Sequence, residues 1–234
     1  MITLSTSEAV EAVRKNLDEL DPNGNASVMY TDENSDNESL TNIIERFLPE
    51  AINAIHLAAP VTLLEGEDFD AASDLASDSD SLSDDGVLAF ALGEDTDYLR
   101  LVAFRAEDSA IVVTDALPEA SPEGRKQLNP YIRGRKDRPR LVQLQGAHTG
   151  PSFKYYTMDA DGDDFATYQA TPVSAIAQLT YVKEQHYDEE ATEYPISRRL
   201  RQNIIDYTTA SVMVTYNDQR AETYFQKANN YPRS

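Results

Sequence analysis

The sequence predicts an α+β fold: terminal helices packed as a bundle beside a central, mostly antiparallel β-rich region. Three observations lead there. Apolar residues recur every three to four positions in the first sixty residues and again after Pro195. Between Val87 and Val182 they fall instead in short runs broken by Gly, Pro and Asp. Elements of one kind also follow one another rather than alternate, which argues against a βαβ architecture.

Ser5 and Glu8 stand at capping-box spacing, and Val10, Val13, Leu17 and Leu20 follow at helical intervals until Asp21-Pro22-Asn23-Gly24, so a helix is expected from about Ser7 to Leu20. Asp36 offers an N-cap for a second, longer helix through Leu40, Ile43, Ile44, Phe47, Ala51 and Ile55, ending at Ala59-Pro60. Pro49 inside it cannot donate to the carbonyl of Glu45, and a kink or break near Phe47 is expected. Strands are expected at 87–92 and 98–105, read together as a hairpin, and then at 111–114, 141–144, 153–158, 165–171 and 176–182. After Tyr194-Pro195 the helical period returns, with Pro195 at a first helical position and Ile196, Leu200, Ile204, Tyr207, Ser211 and Val214 on one face of a helix of about twenty residues. A short helix through Ala221, Tyr224, Phe225 and Ala228 closes the chain. The bundle is thus assigned to 1–64 and 194–234, an acidic flexible loop to 65–86, and the β-rich part to 87–193 with a basic arm at 125–140.

A chain of 234 residues can bury a sizeable core without covalent staples. The absence of Cys removes disulfides, thiolate catalysis and sulfur-ligated zinc. With 20 Lys and Arg against 41 Asp and Glu, the formal net charge is −21, which argues against a protein that coats nucleic acid. No apolar run reaches the roughly 20 residues a membrane span needs, so no membrane partner is expected. Nor is a secretory signal expected at the first residues.

No Gly-x-Gly-x-x-Gly, Gly-x-x-x-x-Gly-Lys-Ser/Thr, Gly-x-Ser-x-Gly or His-Glu-x-x-His occurs. His56, His148 and His186 are far apart in sequence and read as a packed or capping residue, a turn residue and a solvated residue. Asp159-Ala-Asp-Gly-Asp-Asp164 has the carboxylate density of a calcium loop, but the glycine falls at position four and position twelve is Ala170, so a hairpin turn is the better reading. No catalytic residue, metal or cofactor is assigned.

Two charge features stand out. From Phe47 to Leu99 there is no Lys or Arg, and the stretch 66–85 reads as a flexible acidic loop. Arg125, Lys126, Arg133, Arg135, Lys136, Arg138 and Arg140 then place seven of the chain's 20 basic residues in sixteen positions around Tyr131, with Asp137 as the only acid. Pro130, Gly134 and Pro139 argue for an extended arm. Contact with phosphates, pairing with an acidic surface on a neighbouring subunit, and a solvated charged loop all fit; in so acidic a chain, protein partnering is the most economical.

Three stretches carry a family resemblance: Asn42-Ile-Ile-Glu-Arg-Phe-Leu-Pro-Glu-Ala-Ile-Asn-Ala-Ile-His-Leu-Ala-Ala-Pro60; Tyr98-Leu-Arg-Leu-Val-Ala-Phe-Arg105 with Ser121-Pro-Glu-Gly-Arg-Lys-Gln-Leu-Asn-Pro-Tyr-Ile-Arg-Gly134; and the helix around Asn203 to Ala210. In these the chain resembles the head-to-tail connector (ring or adaptor) virion proteins of crAss-like and related short-tailed bacteriophages. The serine–aspartate stretch at 73–85 has no counterpart in that resemblance. It implies a non-enzymatic structural protein made in the host cytoplasm and built into the virion, a homo-oligomeric ring commonly of twelve copies. Its partners would be the portal and adjacent tail or ring proteins, with DNA passing through the channel without sequence recognition. A negative lumen would let DNA slide without sticking, although acidity also serves solubility alone. A soluble adaptor or assembly scaffold that engages one protein partner through the acidic loop or the basic arm is the alternative; a carboxylate-based, cation-assisted hydrolase is a third reading.

Overall fold

The computed structural model describes residues 1–17, 39–76, 88–107, 109–129, 132–135, 137–145, 150–157 and 176–232. The fold is α+β, and its contacts form two compact units, Met1–Glu65 with Glu184–Ser234, and Gly66–Lys183.

The first unit is helical. It begins with an element the periodicity does not reveal, strand β1 (Ile2–Ser5), paired antiparallel with β9 (Glu193–Ile196). Ser5 then caps α1 (Thr6–Asn16), its Oγ accepting the Glu8 N–H at 3.2 Å. Its C-cap is Leu17, and the expected last residues, 18–20, lie outside the described residues. Helix α2 (Leu40–Ala58) is capped by Ser39, whose Oγ accepts the Asn42 N–H, and not by Asp36, which lies outside the described residues. It runs as one helix through buried Pro49, so the expected break is not made.

Pro195 sits in β9 opposite Thr3, not at a helix start. A 3-10 turn, Arg198–Leu200, follows, and the helix proper is α5 (Arg201–Thr215). The predicted face of α5 is wrong at its far end, where Val214 is 55% exposed. Helix α5 packs against α1, α2 and α6 (Ala221–Ala228) and therefore buries residues on most sides, among them Thr208 and Thr209. Both hydroxyls are satisfied within the helix, donating to the carbonyls of Ile204 and Ile205 at 2.8 Å each. Leu17 and Ile44 share a core cluster with Ile205, Val212 and Met213, and Phe47 packs on it half-buried. Leu200 and Ile204 are wholly buried. Between α5 and α6 the chain reverses on Asn217, at φ 57°, while the Asp218 N–H reaches back to the Met213 carbonyl at 2.9 Å.

His56 is buried in the last turn of α2, where its Nε2 accepts the Ser197 N–H at 3.5 Å. Burial pulls its pKa down to about 4, so it is neutral at pH 7. It is a packed histidine, as expected. His186 is exposed, and His148 lies outside the described residues.

The second unit is built on two sheets. One is antiparallel, with strand order β2 (Glu67–Asp68), β8 (Ile176–Lys183), β4 (Tyr98–Ala106). The other runs β3 (Leu88–Ala91), β7 (Ser152–Tyr156), β6 (Arg140–Leu144), β5 (Ala116–Pro118), antiparallel except for the parallel pair β5–β6. The expected hairpin of 87–92 with 98–105 does not form, because β3 pairs with β7 and β4 with β8. The 111–114 stretch contributes only a bridge from Val113 to Phe104. An aromatic core joins the sheets: Phe90 stacks on Phe104 and Phe153 at centroid separations of 5.6 and 5.1 Å, and Tyr98 leans between Phe153 and Tyr181.

The acidic stretch is not a loop from residue 65 onward. Glu67 and Asp68 pair with β8, and a single helical turn, α3 (Ala71–Asp74), leads Leu75 into a bridge with Leu92. Phe69 and Leu75 pack on the aromatic core, the apolar burial that acid counting hides. The rest of that stretch, the candidate strand at 165–171 and the Asp159–Asp164 turn lie outside the described residues. Among the described residues no helix is long and apolar enough to cross a membrane.

Two outcomes test this core. Replacing Leu200 by Ala should cost about 2 to 5 kcal/mol in a denaturant titration, as cavity-forming changes do; a loss below about 1 kcal/mol would contradict the packing. For His56, the unfolded side chain titrates near 6.5 and the folded one near 4, so the unfolded state binds the extra proton between those values. Stability should therefore fall as pH drops from about 6.5 toward 4. His56→Gln should show a shallower fall than the wild type over that window, and parallel profiles would refute the assignment.

Candidate interaction groove

The basic segment is not an extended arm. It folds across the outer face of the four-stranded sheet, opposite the aromatic core. On that face Val142 and Tyr156 form a small cluster with Leu117 and Leu144, and the register places Arg140 beside Tyr156. Ser121 opens the segment: its Oγ accepts the Gly124 N–H at 3.0 Å and donates to the Pro118 carbonyl at 2.6 Å. Pro122 at the first helical position then starts α4 (Pro122–Lys126), a little over one turn that carries Arg125 and Lys126.

Gln127 is the clasp. Only 6% exposed, it donates from Nε2 to the Glu123 carbonyl at 3.2 Å and accepts the Gly134 N–H on Oε1 at 2.7 Å. Gly134 is pressed so closely onto the sheet that a Cβ there would lie 2.4 Å from the Tyr156 carbonyl oxygen. Arg133 lies over the Tyr156 ring, its guanidinium carbon 5.6 Å from the centroid, and its NH2 reaches the Leu128 carbonyl at 3.4 Å. Arg135 and Arg138 close a tight turn, each N–H donating to the other's carbonyl at 3.1 and 2.8 Å. Both are exposed, while the neighbouring Pro139 is buried.

Lys126, Arg133, Arg135, Arg138 and Arg140 line one open recess of about 590 Å3, together with the acids Glu123 and Asp137. Arg125 stands exposed on α4, outside the lining, and Tyr131 and Lys136 lie outside the described residues. Half-buried Arg133 is thus partly an internal packing residue, and Arg135 and Arg138 are the cations offered outward. Two apolar side chains of the same segment are exposed, Ile132 at 52% in the recess lining and Leu128 at 61%, whose carbonyl Arg133 reaches. Sequence reasoning located the charge but missed Gln127 and these aliphatic neighbours, since one glutamine gives no pattern and two separated aliphatics give no period.

A second recess, of about 380 Å3, lies just past β3, the strand at the other edge of this sheet, and reaches β8 of the three-stranded sheet, so that Asp74, Glu94 and Asp95 meet Tyr181 and Lys183. The Tyr181 hydroxyl donates to Asp74 Oδ2 at 3.1 Å, and the Asp70 N–H adds a second donor at 3.0 Å. Lys183 is held by Glu67 at 2.7 Å. Burial, and then the carboxylates of Asp74, Glu67 and Asp97, push the Tyr181 phenol well above its ordinary range. Its hydrogen bond to Glu67 likewise raises the Lys183 ammonium. This edge is electronegative. Among the described residues no group of three or more His, Asp or Glu is arranged to hold a metal ion.

No family model matches the chain, and no curated protein matches its sequence.

Gly134→Ala tests whether the groove is built as described. The added methyl meets backbone, which cannot swing aside, and the expected loss is roughly 1 to 3 kcal/mol. A variant as stable as the wild type would show that the segment does not lie against Tyr156.

Proposed function

We infer that this chain is a structural assembly protein, a subunit of a homo-oligomeric head-to-tail connector ring of a tailed bacteriophage, through which DNA passes without being read. The observation that carries the reading is the rigidly held arginine turn at one edge of a sheet in a chain of net charge −21. An identical neighbour is itself a strongly acidic surface, so an exposed cationic patch on each copy favours association of the chain with itself. The resemblance at 42–60, 98–105 with 121–134, and 203–210 to connector proteins supports the same conclusion. So does overall charge, because an acidic channel repels the phosphate backbone.

The exposed aliphatics of the basic segment, Ile132 in the recess and Leu128 nearby in sequence, favour a protein over a bare phosphate chain, since burying them gains nothing from phosphates. The same feature supports a second reading, an adaptor that takes one acidic protein partner into the groove.

The double variant Arg135→Glu/Arg138→Glu tests the first reading. Both side chains are exposed, so the variant should unfold with an unchanged transition yet fail to enter oligomers or particles. Normal incorporation would overturn the interface. Binding of duplex DNA by the wild-type groove, with affinity falling steeply as salt rises, would replace it with phosphate contact.

A further inference from the structure

The two recesses of the second unit are complementary in charge and cannot meet within one chain. The strand order is β3-β7-β6-β5. The acidic recess is built where Leu75 bridges Leu92, just past β3, and the basic one includes Leu117 of β5 and Arg140 of β6. Strands lie about 4.8 Å apart, so the width of the sheet, roughly 14 Å, holds them apart on fixed elements. Neither can fill the other within one copy.

What they offer also differs. At the basic edge, Arg135 and Arg138, paired N–H to carbonyl, stand exposed in the lining of a wide, open recess. At the acidic edge there is a concavity of about 380 Å3. Its own cation, Lys183, is engaged by Glu67, whereas Glu94 and Asp95 are exposed at its rim. A guanidinium suits such a place, because its planar fork can meet two carboxylate oxygens at once.

Resting on the oligomeric reading above, we propose that the Arg135–Arg138 turn of one copy seats in the recess between Asp74 and Asp95 of the next. The contact joins two different patches, and made in one direction only it is heterologous: every copy offers one turn and one recess, and repetition yields a closed ring when the rotation per step divides a full circle. A two-fold dimer could make the same contact reciprocally, turn into recess twice over, so a ring and a dimer are told apart by the oligomeric state rather than by charge.

The chain has no Cys, so single cysteines report contacts cleanly. Full-length Ser73→Cys, at the recess, and full-length Asp137→Cys, within the turn, are mixed and treated with a short bismaleimide. Covalent heterodimer should form at least about tenfold faster than dimer from either variant alone. Adding Arg135→Glu/Arg138→Glu to the Asp137→Cys chain should abolish that advantage. Placing Glu94→Lys/Asp95→Lys in the Ser73→Cys chain as well should restore it, since the charges are then exchanged. Equal rates for like and unlike pairs, or no recovery on exchange, would overturn the proposal. If Arg135→Glu/Arg138→Glu prevents oligomers while Glu94→Lys/Asp95→Lys does not, the turn docks elsewhere: this proposal falls and the ring reading stands. If the wild type neither cross-links nor oligomerises, both fall.

Discussion

The rest of the structure depends on the two ends of the chain meeting. β1 pairs with β9, nearly the length of the chain apart, and α5 lies against both α1 and α2. That closure buries Leu4, Val13, Ile44, Leu200 and Ile204 completely. It also confines residues 66–183 to an excursion whose start and finish lie side by side, Glu67 opposite Tyr181, with Lys183 tied to Glu67. An inserted unit entered and left on paired strands can carry its own core, and the stack of Phe90, Phe104, Phe153 and Tyr181 supplies it.

Within that unit one sheet serves two purposes. Its inner face, Leu141, Phe153 and Tyr155, belongs to the aromatic core; its outer face, Val142 and Tyr156, is the floor on which the basic segment rests. Gln127 and Gly134 clamp the segment there, so the backbone that carries Arg135 and Arg138 has little conformational freedom left to lose on binding. On the reading proposed above, that preorganisation is what a docking element would use. The opposite edge is organised in the reverse sense, with the Asp74–Tyr181 hydrogen bond fixing a carboxylate inside a concavity.

Much of the helical part was legible because its signals are local. Ser5 is a true N-cap, and the three-to-four-residue spacing of α2 corresponds to a buried stripe through Ile44, Leu48, Ile52 and Ile55. Failures came where tertiary context decides. The α5 face could not be read by period because the helix is buried on most sides and its threonines satisfy their own hydroxyls. Pro195 fits a helix start by local rule, yet a two-stranded ribbon accepts it equally well. Strands β3 and β4 are neighbours in sequence but pair elsewhere, a choice made by partners fifty or more residues away. At the site, the positive charges were visible and their architecture was not. Composition hid the acidic recess altogether, because Phe69 and Leu75 are sparse among the acids that surround them.

The central claim is that copies of this chain associate head to tail into a closed ring. Negative-stain imaging of the full-length protein, at high concentration and low ionic strength, tests it most directly. The account predicts closed rings of one size with rotational symmetry, disassembling as salt is raised because the joining charges lie at exposed edges. Monomers alone, or two-fold dimers indifferent to salt, would contradict it.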